Sequence, residues 1–203
     1  MSGGRILVLG IGNILWADEG FGVRVIEMLD ERYEMPANVD VVDGGTQGLY
    51  LLPYLEDADG VLIVDAIDYG LTPGTLRVLA DDEVPAVLGT RKLSLHQTSF
   101  EEILALLRLR GRVPERLRLV GMQPERLDDY GGSLTAAVAA QLETALGMVV
   151  DILATDFDVH VQPRTSMEDF VAPAISREDY ESGRPSAEEA CRIGDDRVLV
   201  NWR

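Results

Sequence analysis

The sequence contains a single cysteine, Cys191, among its 203 residues. One thiol cannot form an internal disulfide, and it cannot supply the several thiolates of a cysteine-based zinc cluster. Long apolar runs are also lacking, because glycine and asparagine interrupt residues 6–16 and no stretch approaches the length of a membrane span. Residues 6–16 also lack a signal-peptide cleavage site. We therefore expect a cytoplasmic protein that does not enter a membrane.

Basic residues are scarce in this chain. It has 18 lysines and arginines against 35 aspartates and glutamates, which gives a formal net charge of −17. A surface with this charge repels phosphate backbones and anionic lipid headgroups. We therefore expect neither a nucleic acid nor a membrane as a partner. Hydrophobic residues make up 46% of the sequence, which is enough to build a folded core.

Strand and helix signals alternate along the first 154 residues. Five strands are predicted, at residues 5–9, 39–42, 60–64, 75–79 and 117–121. The fourth should run antiparallel, because its connection to the third is too short for a crossover. Helical signals lie between the strands, and a long helix is predicted from about residue 134 to residue 154. The pattern predicts a three-layer α/β/α sandwich around a mixed, mostly parallel sheet of about five strands.

The composition changes after residue 154. Residues 155–203 hold 11 acidic and 6 basic side chains, with several prolines and no sustained periodicity. Such a segment has little to bury. We expect residues 1–154 to form the folded domain and residues 155–203 to form a loosely docked or mobile acidic extension.

Gly10 and Gly12 lie between the first strand and the first helix, where a dinucleotide-binding fingerprint would lie. However, Leu15 occupies the place of the third glycine, and Asp18 and Glu19 would repel a pyrophosphate. A tight turn that needs the backbone freedom of glycine is the favoured interpretation. A nucleotide-binding, Rossmann-like oxidoreductase remains the alternative.

Three side chains could together bind a metal ion. Glu19 follows the first strand, Asp65 ends the third, and His96 lies in a later loop. Ligands bind at the carboxyl ends of strands in open α/β sheets, so the three can meet at one edge. Two oxygen ligands and one imidazole suit a borderline divalent ion such as nickel or zinc. Two of the residues also have a simpler interpretation: Asp65 could cap a turn, and His96 could be solvated.

No covalent nucleophile stands out. Ser94 and Ser99 flank His96 without a nucleophile-elbow sequence, and nearby carboxylates disfavour a thiolate at Cys191. A metal-assisted reaction is therefore favoured, although a non-catalytic module that senses a metal-loaded partner stays open. The sequence names no general base, so the three metal ligands are also the best catalytic candidates. Asp43 either supports this site or only forms a turn, and the turn is favoured.

Five segments resemble the nickel–iron hydrogenase maturation endopeptidases. They are GIGNILWADEGFGV (residues 10–23), DGGTQG (43–48), DAIDYG (65–70), SLHQ (94–97) and DDYGGSL (128–134). The last segment is most similar to the subgroup that serves uptake hydrogenases. The resemblance covers residues 5–154 and does not extend to a functional residue beyond them.

The resemblance implies a function and a set of ligands. In that family a glutamate in the first turn, an aspartate ending the third strand and a later histidine bind metal, and these correspond to Glu19, Asp65 and His96. The implied activity is an endopeptidase that removes the C-terminal extension of the nickel-loaded large-subunit precursor. The nickel would be supplied by the substrate, and no organic cofactor is implied. Independently of the resemblance, a monomer is the default expectation.

Overall fold

A computed structural model describes residues 4–88, 100–165 and 177–183 of the chain, with a five-stranded sheet at its centre. The described strands are β1 (Ile6–Ile11), β2 (Tyr33–Glu34), β3 (Val39–Gly45), β4 (Gly60–Ala66), β5 (Leu76–Ala80), β6 (Arg116–Met122) and β7 (Gln162–Pro163). The central sheet has the order β3-β1-β4-β6-β5, and β2 pairs separately with β7. Only β5 runs antiparallel to its neighbour in the central sheet. The predicted five-stranded mixed sheet is therefore confirmed.

Helices cover both faces of this sheet. They are α1 (Phe21–Arg32), α2 (Leu52–Glu56), α3 (Glu83–Leu88), α4 (Phe100–Arg110), α5 (Ala136–Ala139) and α6 (Leu142–Phe157), with 3-10 helices at Ala17–Gly20 and Gly48–Leu51. A further helix, α7 (Arg177–Gly183), belongs to the separate unit Ala172–Arg203. Alternate strand residues pack on opposite faces: Val64 lies in the core with α1 and α6, and Ile63 lies in the core with α2 and α4. Every residue of β1 and β4 is buried, as expected of strands covered on both sides.

The long helix predicted over residues 134–154 is two helices, α5 and α6. The backbone N–H of Gln141 donates to the carbonyl of Val138, three residues back, and this bond interrupts the α-helical pattern. Ala136–Phe157 nevertheless has the length and composition of a membrane span, contrary to the expectation from the sequence. Its apolar residues Val138, Leu146 and Val149 are buried in the core of the protein.

The first structural unit extends past the boundary predicted at residue 154. The chain divides into Met1–Val171 and Ala172–Arg203, and the predicted boundary lies inside α6. Phe157 and Val159 are buried in the core, and the Arg164 guanidinium donates to the Asp30 carbonyl near the end of α1. The sequence did not predict these contacts, because the composition averaged over residues 155–203 is acidic and the apolar Phe157 and Val159 lie at the start of the segment. That the rest of this segment is loosely docked stays a prediction.

Phe157→Ala is expected to lower the melting temperature by about 10 °C. The Phe157 ring packs on the backbone of Gly60, where an added Cβ would lie 2.6 Å from the ring, and the Arg116 guanidinium lies 5.3 Å from its centroid. Truncating a buried Phe costs about 3–5 kcal/mol, and each kcal/mol corresponds to about 2–4 °C at this size. Thermal unfolding of Phe157→Ala and of the exposed Leu109→Ala tests this, and equal melting temperatures would contradict it.

Candidate active site

The candidate site lies where the connections of the sheet change direction. From β1 the chain crosses to β3 on one side, and it then returns to β4 on the other side of β1. In open α/β sheets this switch point is where ligands bind, beyond the carboxyl ends of the strands. Gly10 of β1 is in register with Val64 of β4, so Asp65 lies one residue beyond this pair.

Asp65 is fully buried near the carboxyl end of β4. It is the second-last residue of β4, which extends two residues beyond the end predicted at residue 64. Alternation along the strand places it on the face that α2 and α4 cover, and its register partner on β6 is Gly121. The aspartate is therefore held by a strand that is paired on both sides.

Glu19 lies in the 3-10 helix Ala17–Gly20, which is called the Glu19 turn below. Its side chain is half-buried, and the turn packs against β4. Glu19 and Asp65, the two carboxylates of the predicted set, thus lie on segments that contact each other.

Two glycines permit this close packing. Gly12 has a φ of +138°, and an added Cβ would lie 1.7 Å from the carbonyl oxygen of Glu19. An added Cβ on Gly22 would lie 2.2 Å from the carbonyl oxygen of Val64. No other residue fits at either place without moving the backbone. The tight-turn interpretation of the glycine motif is therefore confirmed at Gly12, and the turn brings the Glu19 backbone against the residue that follows β1.

His96 lies outside the described residues, as do Ser94, Ser99 and Cys191. The structure thus places two of the three residues of the predicted set on contacting elements, the Glu19 turn and β4, and their role as ligands stays a prediction, as does the position of His96. Within residues 4–88, 100–165 and 177–183, no three His, Cys, Asp or Glu side chains are placed to hold a metal ion. Glu19 and Asp65 are the members of the predicted set whose placement is known.

Asp18 has a structural role, unlike its neighbour Glu19, which is predicted to bind a metal ion. It is fully buried, and its carboxylate accepts hydrogen bonds from the backbone N–H groups of Glu125 (2.9 Å), Arg126 (2.8 Å) and Thr135 (2.7 Å). The Thr135 hydroxyl adds a fourth bond at 3.1 Å. Both oxygens are therefore occupied, and Asp18 fastens residues 124–135 (the 124–135 loop) to the Glu19 turn.

Backbone contacts join the same two segments. Ala17 donates to the carbonyl of Gly132, and Gly131 donates to that of Leu15. Ala17 has a φ of +43°, a left-handed conformation that costs a non-glycine residue free energy and persists only where the surroundings hold it. The backbone that carries Glu19 is thus held in place from outside by the 124–135 loop.

Gln123 holds the segment that follows Asp65. Its side-chain oxygen accepts the backbone N–H groups of Tyr69 (2.7 Å) and Leu71 (3.1 Å), and its amide donates to the Asp68 carboxylate (3.0 Å). This bond, together with the Gly70 N–H, lowers the pKa of Asp68 below its ordinary value. The sequence carries no signal for this role, because the partners lie more than fifty positions away.

Asp43 forms a turn, as the sequence favoured. Its carboxylate is exposed near the end of β3 and accepts the backbone N–H of Gly45 at 2.8 Å.

An ion pair lies within α1, where Glu27 pairs with the buried Arg24 at 2.8 Å. Burial raises the pKa of Glu27, which the hydrogen bond from Arg24 partly offsets. Arg24 thus neutralises the charge of Glu27, whereas the Asp43 carboxylate is bonded to a backbone N–H group.

The chemistry available to this edge is that of carboxylates. Glu19 and Asp65 carry carboxylate oxygens, which are donors of the kind that bind cations. Glu19 follows β1 and Asp65 lies near the carboxyl end of β4, at the place where open α/β sheets bind ligands, which makes this edge of the sheet an acidic candidate site.

Comparisons with known proteins agree on one family. A family model described as a hydrogenase maturation protease matches residues 23–152. The chain is 53% identical over 196 residues to the hydrogenase expression/formation protein HupD of Rhodobacter capsulatus, covering 96% of this chain and 93% of that protein. It is 44% identical over 166 residues to the hydrogenase 2 maturation protease of Escherichia coli K12, covering 81% of this chain and 99% of that protein.

A solved structure is similar over the same region. The hydrogenase maturating endopeptidase HybD from E. coli superimposes with a TM-score of 0.74 at 44% sequence identity. The match covers 79% of this chain and 98% of that structure.

Proposed function

The chain belongs to the hydrogenase maturation protease family and is thus a hydrolase, and we propose that it removes the C-terminal extension from a nickel–iron hydrogenase large-subunit precursor. The observation that carries the proposal is the packing of the Glu19 turn against β4, the strand that holds Asp65 near its carboxyl end. This packing creates an acidic edge at the place where α/β proteins bind ligands. The hydrogenase 2 maturation protease of E. coli, by its name, acts in the same process.

We further propose that nickel in the precursor is bound by Glu19, Asp65 and His96 when the precursor docks. The nickel belongs to the substrate, so it reaches the site only in precursor that has already been loaded. Repulsion between the two carboxylates is relieved by a divalent cation, so loaded precursor binds more tightly than unloaded precursor. Metal loading and cleavage are coupled in this way without a further regulatory protein.

The cleavage itself is a peptide hydrolysis. Water adds to the scissile carbonyl carbon, the C–N bond breaks, and the amine of the released extension gains a proton. A divalent ion beside the scissile bond supplies Lewis acidity for this step. The residues of this chain bind and orient the loaded precursor, and no separate general base is assigned. The enzyme works in the cytoplasm as a monomer in this proposal, with no organic cofactor.

The other two functions considered from the sequence are less well supported. A Rossmann-like oxidoreductase needs room for a pyrophosphate at the glycine turn, but the Glu19 carbonyl lies against Gly12 there. A non-catalytic module that senses a metal-loaded partner would use the same edge, and it differs only in leaving the precursor uncut.

Cleavage is expected to depend on nickel in the precursor. Purified protein should shorten nickel-loaded precursor at its C-terminus, and it should leave nickel-free precursor intact over the same time. Intact-mass measurement of both precursors detects the released extension directly. Efficient cutting of nickel-free precursor would refute the coupling, and an uncut loaded precursor would refute the protease assignment.

A further inference from the structure

A pair of aromatic rings projects beside the Glu19 turn. The Tyr130 ring lies edge-on to the Trp16 ring, with 5.2 Å between the centroids and an angle of 60° between the planes. Although it makes this contact, Tyr130 is 63% exposed. Large exposed aromatic side chains are frequent energetic centres of protein interfaces. The pair therefore has the chemistry of a contact surface.

The backbone beneath the two rings is rigidly held. Trp16 forms β-bridges with Tyr130 and Gly132, and the four hydrogen bonds to Asp18 fasten the rest of the 124–135 loop. Gly131 has a φ of +72°, which a side chain would strain. A contact residue on a prearranged loop loses little conformational entropy on binding. The exposed Tyr130 ring is therefore preorganised for binding.

The position of the pair limits what the partner can be. Trp16 lies three residues before Glu19, on the same connection after β1. Tyr130 lies on the 124–135 loop, whose backbone is bonded to Trp16 and Ala17 immediately before Glu19. The pair is therefore a neighbour of the site at which the precursor is proposed to bind.

We propose that Tyr130, supported by Trp16, binds the polypeptide of the precursor next to the scissile bond. This inference rests on the proposed function and adds to it a residue that determines affinity for the substrate. The flat face of the tyrosine suits an apolar side chain or the plane of a peptide bond, and its hydroxyl can bond to a backbone group. The 124–135 loop thus contributes to recognition of the precursor, and the carboxylates contribute to recognition of its metal.

Tyr130→Ala should raise the KM for nickel-loaded precursor about tenfold and leave kcat nearly unchanged. Tyr130→Phe keeps the ring and should stay within about twofold of the wild type in KM. Leu109→Ala is the control, because Leu109 is 83% exposed on α4, which ends at the opposite edge of the sheet where β6 begins. Steady-state kinetics on the three variants and the wild type measure both constants.

A KM unchanged by Tyr130→Ala would overturn the inference, and so would a fall in kcat alone, which would mean that the loop only positions Glu19. Direct binding of the loaded precursor, measured by calorimetry, separates this test from that of the protease activity. If the wild type binds the precursor without cutting it and Tyr130→Ala weakens the binding, the contact stands and the protease assignment fails. If Tyr130→Ala instead abolishes self-association of the free wild-type protein and leaves precursor binding unchanged, the surface belongs to a second copy of the chain and the inference is wrong.

Discussion

Asp65→Asn is expected to reduce cleavage of nickel-loaded precursor by more than about 100-fold while the protein stays folded. The substitution keeps the size and shape of a fully buried side chain and removes its charge. Loss of a group that merely orients a metal ligand typically costs about 10- to 100-fold, so loss of a ligand's charge should cost more. Initial rates on loaded precursor, with circular dichroism to verify the fold, measure the effect.

The matched control for this change is Asp40→Asn. Asp40 lies near the start of β3, at the opposite edge of the sheet, where it pairs with Arg5 at a distance of 2.9 Å. An exposed ion pair of this kind contributes little, so the control should cleave precursor within about twofold of the wild type. If Asp65→Asn cleaved at the rate of Asp40→Asn, the proposed role of Asp65 would be wrong.

Glu19→Gln and His96→Ala should cause comparable losses, because the three residues are proposed to act on one ion. Ligands that act as a unit give non-additive effects. The double variant with Glu19→Gln and Asp65→Asn should therefore cleave little more slowly than either single variant. Additive losses in this double variant would show that the two carboxylates act in separate steps.

Asp18→Ala is expected to lower the free energy of unfolding by about 3 kcal/mol or more. The change leaves three backbone N–H groups of Glu125, Arg126 and Thr135 without the carboxylate that accepts them. These hydrogen bonds are part-buried and their acceptor is charged, and such a bond contributes about 1.5–3 kcal/mol. Solvent access to the freed N–H groups keeps the expected total near the lower end of the sum. Urea unfolding followed by fluorescence measures the change, and the melting temperature should fall by at least about 6 °C.

Smaller changes at the same place should give graded results. Thr135→Ala removes only the hydroxyl bond to Asp18, at 3.1 Å, and should cost about 1 kcal/mol. Cleavage should fall with Asp18→Ala even where the protein remains folded, since the 124–135 loop holds the backbone of the Glu19 turn. Wild-type stability in Asp18→Ala would show that the other contacts suffice to hold the loop.

Local sequence patterns determined most of the sheet and the placement of Glu19 after β1 and of Asp65 near the end of the neighbouring strand β4. The apolar runs of β1 and β4 predict strands buried on both faces, and the short connection before β5 predicts its antiparallel direction. In a parallel sheet the carboxyl ends of strands share one edge, so Glu19 and Asp65 could be assigned to the same site before any coordinates. The tight turn at Gly12 was likewise predicted from the sequence, because backbone conformations with positive φ favour glycine.

Only the tertiary structure decided the role of Asp18, the function of Gln123 and the end of the folded unit. Asp18 lies 107 positions from Glu125 and 117 from Thr135, and no periodicity reports a hydrogen bond across such distances. Phe157 and Val159 are two apolar residues in an acidic segment, so an average over that segment hides their burial. The periodicity of apolar residues shows which face of a helix or strand is buried. The hydrogen-bond partner of a buried polar side chain depends instead on which distant segment the fold places beside it.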